Sequence, residues 1–356
     1  MTSAKAIVYS EHGQVSDVLH THSYTLADPQ SNEVLILTVV APVNPADILQ
    51  VIGTYPARPE KNTKLGTAKP SAVGGNEGLF KVLKVGSAVK HFKTGDWCIP
   101  RVPGLGTWRS HILCDSHDVI PLPSFLSLDQ AATIGVNPLT AYQLLTQFVY
   151  LKKGDWVIQN AGNSAVGKLV TQIARVKGIN SISVVRNRDN LTELVEELTA
   201  LGATKVITDE QNYDESFQAT ISEWVGDSKV RLALNCVSGK SASALVKKLS
   251  KGGFVVTYGL MDQSDLNINI SITDYVFKQI TSTGYWLTAN IAANPQLKID
   301  TLDEICKYYE KGLVVSPPFK KVLYKLAEDD AKGSTFLETM LRVVGDKSGK
   351  QALLFE

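Results

Sequence analysis

The sequence lacks the features that would place it in a membrane or on a nucleic acid. None of its 356 residues fall in a run approaching the roughly 18 consecutive apolar residues of a membrane span. Lysine plus arginine number 36 against 35 aspartate plus glutamate, so no excess of positive charge would attract nucleic acid or an anionic membrane. We therefore expect neither nucleic-acid binding nor membrane insertion.

Cysteine is scarce, and its spacing excludes a disulfide framework or a zinc cluster. The four cysteines are far apart in sequence, and the six histidines do not pair with them. We expect the cysteines to be reduced structural residues, in a reducing compartment: Cys98, Cys114, Cys236 and Cys306.

The N-terminus runs directly into a strand pattern at residues 7–9 and leaves no room for a signal or transit peptide. From this we expect that the protein stays where it is made, or that a targeting segment is absent from this version of the sequence.

The pattern of predicted secondary structure changes once along the chain. The first ~135 residues alternate short strand patterns with Gly, Pro and Asn clusters, which is typical of a β-rich, barrel-like unit. Strands are predicted at 6–9, 34–40, 78–84 and 96–100. From Asn137-Pro138, a helix start, strands and helices alternate, which predicts a doubly wound parallel sheet.

The alternation predicts strands at 156–160, 182–185, 205–208, 231–236, 253–258 and 280–285. Helices are predicted at 139–149, 165–177, 191–201, 215–224, 241–249 and 272–278. The last ~70 residues are mixed, and a strand at 352–355 is expected to return to the first domain. The predicted domains are a β-rich domain, 1–136 with 287–356, and a dinucleotide-binding domain, 137–286.

The turn after the first of these strands predicts dinucleotide binding. Its pattern is G-x-S-x-x-G, with Gly162, Ser164 and Gly167 at the fixed positions. Gly162 is expected to supply the free φ of the turn, and Gly167 to let helix and strand pack closely. Ser164 still permits close approach of phosphates to the helix N-terminus and adds a hydroxyl donor.

The second strand ends at a pair of arginines, Arg186 and Arg188. An NAD site places an acid here for the ribose 2′-hydroxyl, whereas guanidinium groups suit the 2′-phosphate of NADPH. The pattern favours NADPH; the alternative is a solvated loop in which Asp189 takes the role of the acid.

A zinc alcohol dehydrogenase would need Cys and His ligands in the first domain, but two segments where they could fall carry Asn44 and Asn76. A metal-free mechanism needs another donor to the substrate oxygen. Tyr55, in Gly53-Thr-Tyr-Pro56, is the strongest candidate, because a phenol is protonated at neutral pH and can donate. Packing in the loop is the alternative role of Tyr55.

The chain resembles the medium-chain dehydrogenase/reductase superfamily, and within it the zinc-free, fungal-type mitochondrial trans-2-enoyl-thioester reductases of fatty acid synthesis. The similar segments are 42–47, 53–56, 75–78, 106–108, 136–139, 159–164, 185–188, 233–236, 258–261 and 285–287. They imply a GroES-like first domain and a Rossmann second domain, and they make Tyr55 the catalytic tyrosine.

The resemblance also implies a set of NADPH contacts. They are Asn137, Asn163, Ser164, Ala165, Val166, Arg186, Asn187, Arg188, Tyr258, Gly259, Leu260, Met261, Tyr285, Trp286, Leu287, Thr288 and Lys350. Several have simpler interpretations: Asn137 as a helix cap, Tyr285 and Trp286 as core residues, and Lys350 as a surface lysine. Asn187 replaces the usual aspartate between the arginines, and Leu260 adds bulk where the family has glycine.

The function implied is NADPH-dependent reduction of 2,3-trans-enoyl thioesters of acyl carrier protein or coenzyme A, in a mitochondrial homodimer, without metal. Two alternatives remain open. One is a zinc-free NADPH:quinone oxidoreductase of the same superfamily, and the other is a protein that binds NADPH without catalysing a reaction.

Overall fold

The computed structural model of the protein describes residues 1–326, 334–346 and 349–356. The chain forms two compact units. Unit 1 comprises Met1–Val136 and Pro318–Glu356, and unit 2 is the continuous segment Asn137–Pro317. Unit 2 is therefore inserted into the chain of unit 1.

Unit 1 is built mainly of strands: β1 Thr2–Tyr9, β2 His20–Leu26, β3 Glu33–Pro42, β4 Ala72–Val73, β5 Leu79–Val85, β6 Trp97–Pro100, β7 His111–Asp115, β8 Val119–Pro121, β15 Lys320–Tyr324 and β16 Gln351–Phe355. Its helices are short: α1 Val15–Val18, α2 Pro45–Ile52, α3 Leu128–Thr133 and α13 Ser334–Gly345, with a 3₁₀ turn at Ser116–Asp118.

Two sheets organise the described part of unit 1. One runs β2-β1-β4; the other runs β15-β16-β3-β5-β6-β8, with β7 also paired to β3. Strand β16 lies between β15 and β3, with Leu353 opposite Ala41. The expected return of the C-terminal strand to the first domain is confirmed. The strands that the sequence did not predict, β2, β4, β7, β8 and β15, complete the sheets.

The core beneath the C-terminal strands of unit 1 is aromatic. The rings of Tyr324 and Phe336 stack with centroids 4.5 Å apart, and Phe355 meets both edge-on. All three side chains are buried, and such contacts stabilise a core beyond the area they remove from water. This cluster fixes α13 and β16 to the rest of unit 1.

Unit 2 contains six strands: β9 Trp156–Gln159, β10 Asn180–Val185, β11 Lys205–Thr208, β12 Val230–Asn235, β13 Phe254–Thr257 and β14 Thr281–Gly284. Its helices are α4 Asn137–Thr146, α5 Ala165–Val176, α6 Leu191–Leu201, α7 Asp209–Tyr213, α8 Phe217–Val225, α9 Gly239–Lys247, α10 Ile272–Val276, α11 Leu287–Ala293 and α12 Pro295–Glu310.

The sheet of unit 2 has the order β11-β10-β9-β12-β13-β14, and every neighbouring pair is parallel. This order is that of two mononucleotide-binding halves. Strand β9 is buried along its whole length, as expected of a strand covered by helices on both faces. The predicted doubly wound parallel sheet is confirmed.

Residues 287–317 lie in unit 2, so the predicted domain boundary at residue 286 is wrong. Helix α12 buries Leu302 and Ile305 in unit 2, and Thr301 accepts a hydrogen bond from Gln143 of α4. The buried apolar residues of α12 and its hydrogen bond with α4 attach this segment to unit 2. The chain returns to unit 1 only after it.

No helix in the described ranges is long and apolar enough to span a membrane. All four cysteines are free thiols; three are buried and Cys236 is half-buried.

Candidate active site

The turn between β9 and α5 forms a helix N-terminus suited to an anion. Ser164 caps α5, and its Oγ accepts from the backbone N–H of Gly167 at 3.1 Å. Asn163, Ala165 and Val166 are half-buried around this cap. The free N–H groups and dipole of a helix start attract phosphate.

The glycines of the turn act differently from the expectation. Ala161, not Gly162, takes the left-handed conformation, with φ 51°. Gly162 is required by space, because a Cβ there would lie 2.7 Å from the Cβ of Ser183 on β10. A Cβ at Gly167 would lie 2.6 Å from the carbonyl oxygen of Ala161, so this glycine lets α5 start directly against the turn.

The arginines follow the carboxyl end of β10. Arg186 and Asn187 are exposed, Arg188 is half-buried, and the Nε of Arg188 donates to the Arg186 carbonyl at 3.3 Å. Asp189, the candidate acid of an NAD site, is exposed. Both guanidinium groups therefore stand at the edge of the sheet where a 2′-phosphate would bind in this fold.

The loop after β13 is tied to the loop after β12. The N–H of Tyr258 donates to the Asn235 carbonyl at 2.9 Å, and that of Met261 to the Cys236 carbonyl at 2.8 Å. A Cβ at Gly259 would lie 2.4 Å from the Cys236 sulfur, so only glycine fits here. Burial raises the pKa of the Cys236 thiol to about 11 and that of the Tyr258 hydroxyl well above its ordinary value.

The added bulk of Leu260 is accommodated at the surface. Its side chain is 55% exposed, and that of Met261 is 64% exposed. The leucine that replaces the family glycine therefore does not distort the contact between the two loops.

The residues after β14 divide between core and surface. Tyr285 is buried, and its hydroxyl donates to the Oε1 of Gln143 at 2.9 Å. Its side chain thus lies in the core of unit 2, in agreement with the simpler interpretation. Trp286 is partly exposed, and Leu287 and Thr288 begin α11 half-buried. Asn137 is the first residue of α4.

Parallel strands present their carboxyl ends at one edge of a sheet, and the predicted cofactor residues that follow β9, β10, β13 and β14 lie at that edge in unit 2. Two predicted site residues, Tyr55 and Lys350, belong to unit 1.

Tyr55 is half-buried in the loop that follows α2. Gly53 ends the helix in the left-handed region with φ 92°, and the N–H groups of Thr54 and Tyr55 donate to the Leu49 carbonyl at 3.0 and 3.2 Å. The chain turn that presents Tyr55 is thus a helix C-terminus closed by glycine.

Lys350 is mostly buried in unit 1 and binds Asn44, the N-cap residue of α2, and Glu77, which precedes β5. Its Nζ donates to the Asn44 Oδ1 at 2.7 Å and to the Glu77 Oε2 at 2.9 Å. Asn44 Nδ2 donates to the same oxygen of Glu77 at 2.9 Å. The ammonium therefore neutralises a carboxylate that is almost wholly buried. A contact from Lys350 to NADPH stays a prediction.

Asn76 also has protein partners at each polar atom of its side chain. Its Nδ2 donates to the Asp47 Oδ1 and the Gln50 Oε1, both at 2.6 Å, and its Oδ1 accepts from the Gly104 N–H at 3.0 Å. Burial raises the pKa of the Asp47 carboxyl to about 6. Sequence reasoning identified Asn44 and Asn76 only as poor zinc ligands and missed Asp47 and Gln50, since no spacing rule links them.

No group of three or more His, Cys, Asp or Glu side chains in the described ranges is arranged to hold a metal ion. The side chains of Asn44 and Asn76 instead form hydrogen bonds with protein groups: Asn44 with Glu77 and Lys350, and Asn76 with Asp47.

A dinucleotide-type sheet carrying arginines after its second strand, joined to a β-rich unit with an ordered tyrosine loop, defines a two-domain oxidoreductase of the dehydrogenase type. Two family models match the chain: "Alcohol dehydrogenase GroES-like domain" over residues 30–124 and "Zinc-binding dehydrogenase" over residues 165–303.

Individual proteins match over the whole chain. A mitochondrial enoyl-[acyl-carrier-protein] reductase 2 of Debaryomyces hansenii is 43% identical over 100% of this chain and 94% of its own length. An NADPH quinone oxidoreductase of Kluyveromyces marxianus is 41% identical over 89% of this chain and 84% of its own.

Solved structures agree. The Etr1p/Etr2p heterodimer of the mitochondrial 2-enoyl thioester reductase from Candida tropicalis and a complex of Etr1p with NADP and crotonyl-CoA each match with a TM-score of 0.94, 43% identity, and 99% of this chain and 100% of theirs. The chain belongs to the mitochondrial enoyl-thioester reductase family of the medium-chain dehydrogenase/reductase superfamily.

Proposed function

We propose that this protein reduces 2,3-trans-enoyl thioesters to saturated acyl thioesters with NADPH. The observation that carries the proposal is the similarity in fold and sequence, over nearly the whole chain, to the solved complex with NADP and crotonyl-CoA. Enoyl thioesters of acyl carrier protein or coenzyme A are the substrate class, and mitochondria are the location that the names of the relatives support.

The residues of unit 2 fit the cofactor. The capped start of α5 would hold the pyrophosphate, and Arg186 and Arg188 the 2′-phosphate. Gly162 and Gly167 let the turn pack closely against β10 and against the start of α5, because a Cβ at either position would clash there. The proposed contacts are Asn137, Asn163 to Val166, Arg186 to Arg188, Tyr258 to Met261, Tyr285 to Thr288, and Lys350.

For Tyr285 the proposed contact is through the backbone, since its hydroxyl donates to Gln143. For Lys350 the proposed contact is through its ammonium, which also pairs with Glu77.

Tyr55 is the proposed catalytic residue. NADPH, when bound, supplies the hydride that adds to the β-carbon of the enoyl thioester. The negative charge then moves to the thioester oxygen as an enolate, and a hydrogen bond to that oxygen lowers the barrier. The Tyr55 hydroxyl donates this bond, or transfers its proton as the enolate is protonated at the α-carbon, or does both.

The mechanism needs no metal. The amide groups of Asn44 and Asn76 are weak ligands for zinc, and their oxygens accept from Lys350 and from the Gly104 N–H. The hydrogen-bond donor on Tyr55 takes the place of a Lewis acid in this proposal.

A quinone oxidoreductase is the second candidate, because a relative of that name is 41% identical. The deciding experiment compares kcat/KM for crotonyl-CoA and for a small quinone, with NADPH in both assays and a chelator present in parallel. We expect faster turnover of the thioester and no effect of the chelator. Preference for the quinone would contradict the proposal. If NADPH is oxidised neither with the thioester nor with the quinone, the result would favour a protein that binds NADPH without catalysing a reaction.

The quaternary structure that we propose is a homodimer formed through unit 2. Strand β14 is an edge strand with exposed residues, and the preceding helix α10 exposes a row of apolar side chains. Unpaired edges and exposed apolar surface both favour association. A solved relative named above is a heterodimer.

A further inference from the structure

The loop of Tyr55 is held at its start by backbone contacts. Gly53, Thr54 and Tyr55 all donate their N–H groups to the Leu49 carbonyl. A Cβ at Gly53 would lie 2.8 Å from the His12 side chain, so the loop leaves α2 with no space to spare. These contacts fix where the loop begins, but not the path that it takes after Tyr55.

Two side chains hold the other end of the loop: the exposed Arg58 donates from its Nη2 to the Gly53 carbonyl at 2.8 Å, and Gln50 makes the buried contact. The Nε2 of Gln50 donates to the carbonyl of Ala57 at 2.7 Å, two residues beyond Tyr55. Gln50 is 5% exposed, so water cannot replace this bond easily. The loop residues Thr54 and Pro56 are exposed, and they contribute little packing of their own.

The amide of Gln50 is itself oriented by a buried network. Its Oε1 accepts from Asn76 Nδ2 at 2.6 Å, and the same nitrogen donates to Asp47. Asp47 is 1% exposed and its second oxygen accepts from the backbone N–H of Asn44 at 2.7 Å. Because Asn76 can only donate through this nitrogen, the Gln50 oxygen must face it and the Gln50 NH₂ must face Ala57.

The outer end of the network is the ion pair of Lys350 and Glu77, which reaches Asn44. A continuous series of hydrogen bonds therefore connects a buried ion pair to the backbone beside Tyr55. Buried hydrogen bonds of this kind are strengthened by the low local dielectric, and they hold the groups that they join in fixed orientations.

We propose that Gln50 is a positioning residue for the reaction: its amide, oriented by Asn76 and Asp47, fixes the loop so that the Tyr55 hydroxyl stands at a defined place. The inference rests on the proposed catalytic role of Tyr55. Small displacements of a catalytic group cost about 10²-fold in rate, so a loop released at Ala57 loses turnover before it loses cofactor affinity.

The test is a double-mutant cycle on kcat with crotonyl-CoA. Gln50→Glu keeps the shape of the side chain and the acceptor for Asn76. Because burial beside Asp47 favours its neutral form, it is assayed at a pH high enough to ionise it, where it cannot donate to Ala57. Gln50→Met removes both hydrogen-bonding groups. Each is made alone and together with Tyr55→Phe. Gln130→Met is the matched control, because it removes a side-chain acceptor from the Ser127 N–H elsewhere in unit 1.

We expect each Gln50 variant to lower kcat roughly tenfold or more in the wild-type background, with KM for NADPH unchanged. In the Tyr55→Phe background the same substitutions should lower kcat less than about twofold, since the hydroxyl that they misplace is already absent. Gln130→Met should leave kcat unchanged in both backgrounds. Circular dichroism identifies any variant that does not fold, and Gln50→Glu serves if Gln50→Met fails.

An equal loss in both backgrounds would mean that Gln50 only supports the fold, and it would overturn the positioning role alone. A Tyr55→Phe variant with full kcat would remove the role of Tyr55, and the positioning role with it. Failure of the wild-type protein to reduce crotonyl-CoA would instead refute the proposed function.

Discussion

The ammonium of Lys350 lies 2.9 Å from the Oε2 of Glu77, although 273 positions separate the two residues in the chain. The Glu77 side chain is 2% exposed and that of Lys350 12%. The pair joins the residue that precedes β16 to the segment that precedes β5, so two distant parts of unit 1 are connected by a buried ion pair.

Removing one partner of this pair should destabilise unit 1. Lys350→Met leaves Glu77 buried without its counter-charge, which costs about 3–5 kcal/mol. Lys350→Met combined with Glu77→Gln should recover much of that loss, because no charge then remains buried. Urea unfolding measures both. A single variant as stable as the wild type would show that the pair is structurally dispensable, and a changed KM for NADPH alone would support a cofactor contact.

Cofactor preference should depend on the two arginines after β10. The double variant Arg186→Ala with Arg188→Ala loses charge-assisted bonds of about 1.5–3 kcal/mol each, so KM for NADPH should rise roughly tenfold or more per arginine. Activity with NADH should change little. Steady-state kinetics with both cofactors decide the matter, and an equal loss with both would contradict a 2′-phosphate contact.

Removal of the Tyr55 hydroxyl should affect turnover and little else. In Tyr55→Phe, kcat with crotonyl-CoA should fall by ~10²-fold if the hydroxyl stabilises the enolate, as for loss of one oxyanion donor. If it only delivers a proton that water can replace, the fall should be smaller and protonation less stereoselective. NADPH binding, followed by fluorescence, should be retained. An unchanged kcat would return Tyr55 to a packing role.

The free energy of unfolding should depend on pH through the titration of Asp47. Burial raises the pKa of this carboxyl in the folded state to about 6, above its unfolded value. The neutral form is therefore favoured in the folded protein. Its contribution to the free energy of unfolding is fully present below pH ~4 and is lost as the pH rises through about 6, a change of about 3 kcal/mol. Urea unfolding from pH ~4 to ~7 should show this decline in the wild type and a flatter profile in Asp47→Asn. Identical profiles would place the titration elsewhere.

Association should depend on α10. Ile272 is 80% exposed, Phe277 71% and Val276 58%, beside the edge strand β14. Light scattering should give the mass of two chains for the wild type and of one chain for Ile272→Asp with Phe277→Asp. Tyr150→Asp, at an exposed aromatic of the same unit, is the control and should remain a dimer. A wild-type mass equal to one chain would refute the homodimer.

The sheet of unit 2 was predictable because it depends on local patterns. Most of its strands are short runs rich in apolar residues, β14 with the sequence Thr-Ser-Thr-Gly being the exception, and each strand is followed by a helix. The arginines after β10 and the turn before α5 were found for the same reason: their roles follow from position at a strand end. The segment 287–317 was assigned to the wrong domain because the sequence of a helix does not show which domain the helix packs against.

The site in unit 1 was largely hidden from sequence reasoning. Tyr55 was identified, mainly through the family resemblance, but the network that supports its loop includes hydrogen bonds between residues 26 and 306 positions apart. Neither periodicity nor spacing encodes such pairs. The conformation of Ala161 was also missed, because the rule that glycine takes positive φ assigns it to the neighbouring residue.

Strand β16 lies inside the sheet of unit 1, between β15 and β3, and residues 351–355 supply it. During synthesis, all of unit 2 has left the ribosome before this segment exists. Unit 2 can fold from its own continuous chain, whereas the interior of the larger sheet in unit 1 stays open until β16 has been made. The N-terminal part of the nascent protein thus completes its fold last, and its unpaired β3 edge is the surface that a chaperone would have to shield meanwhile.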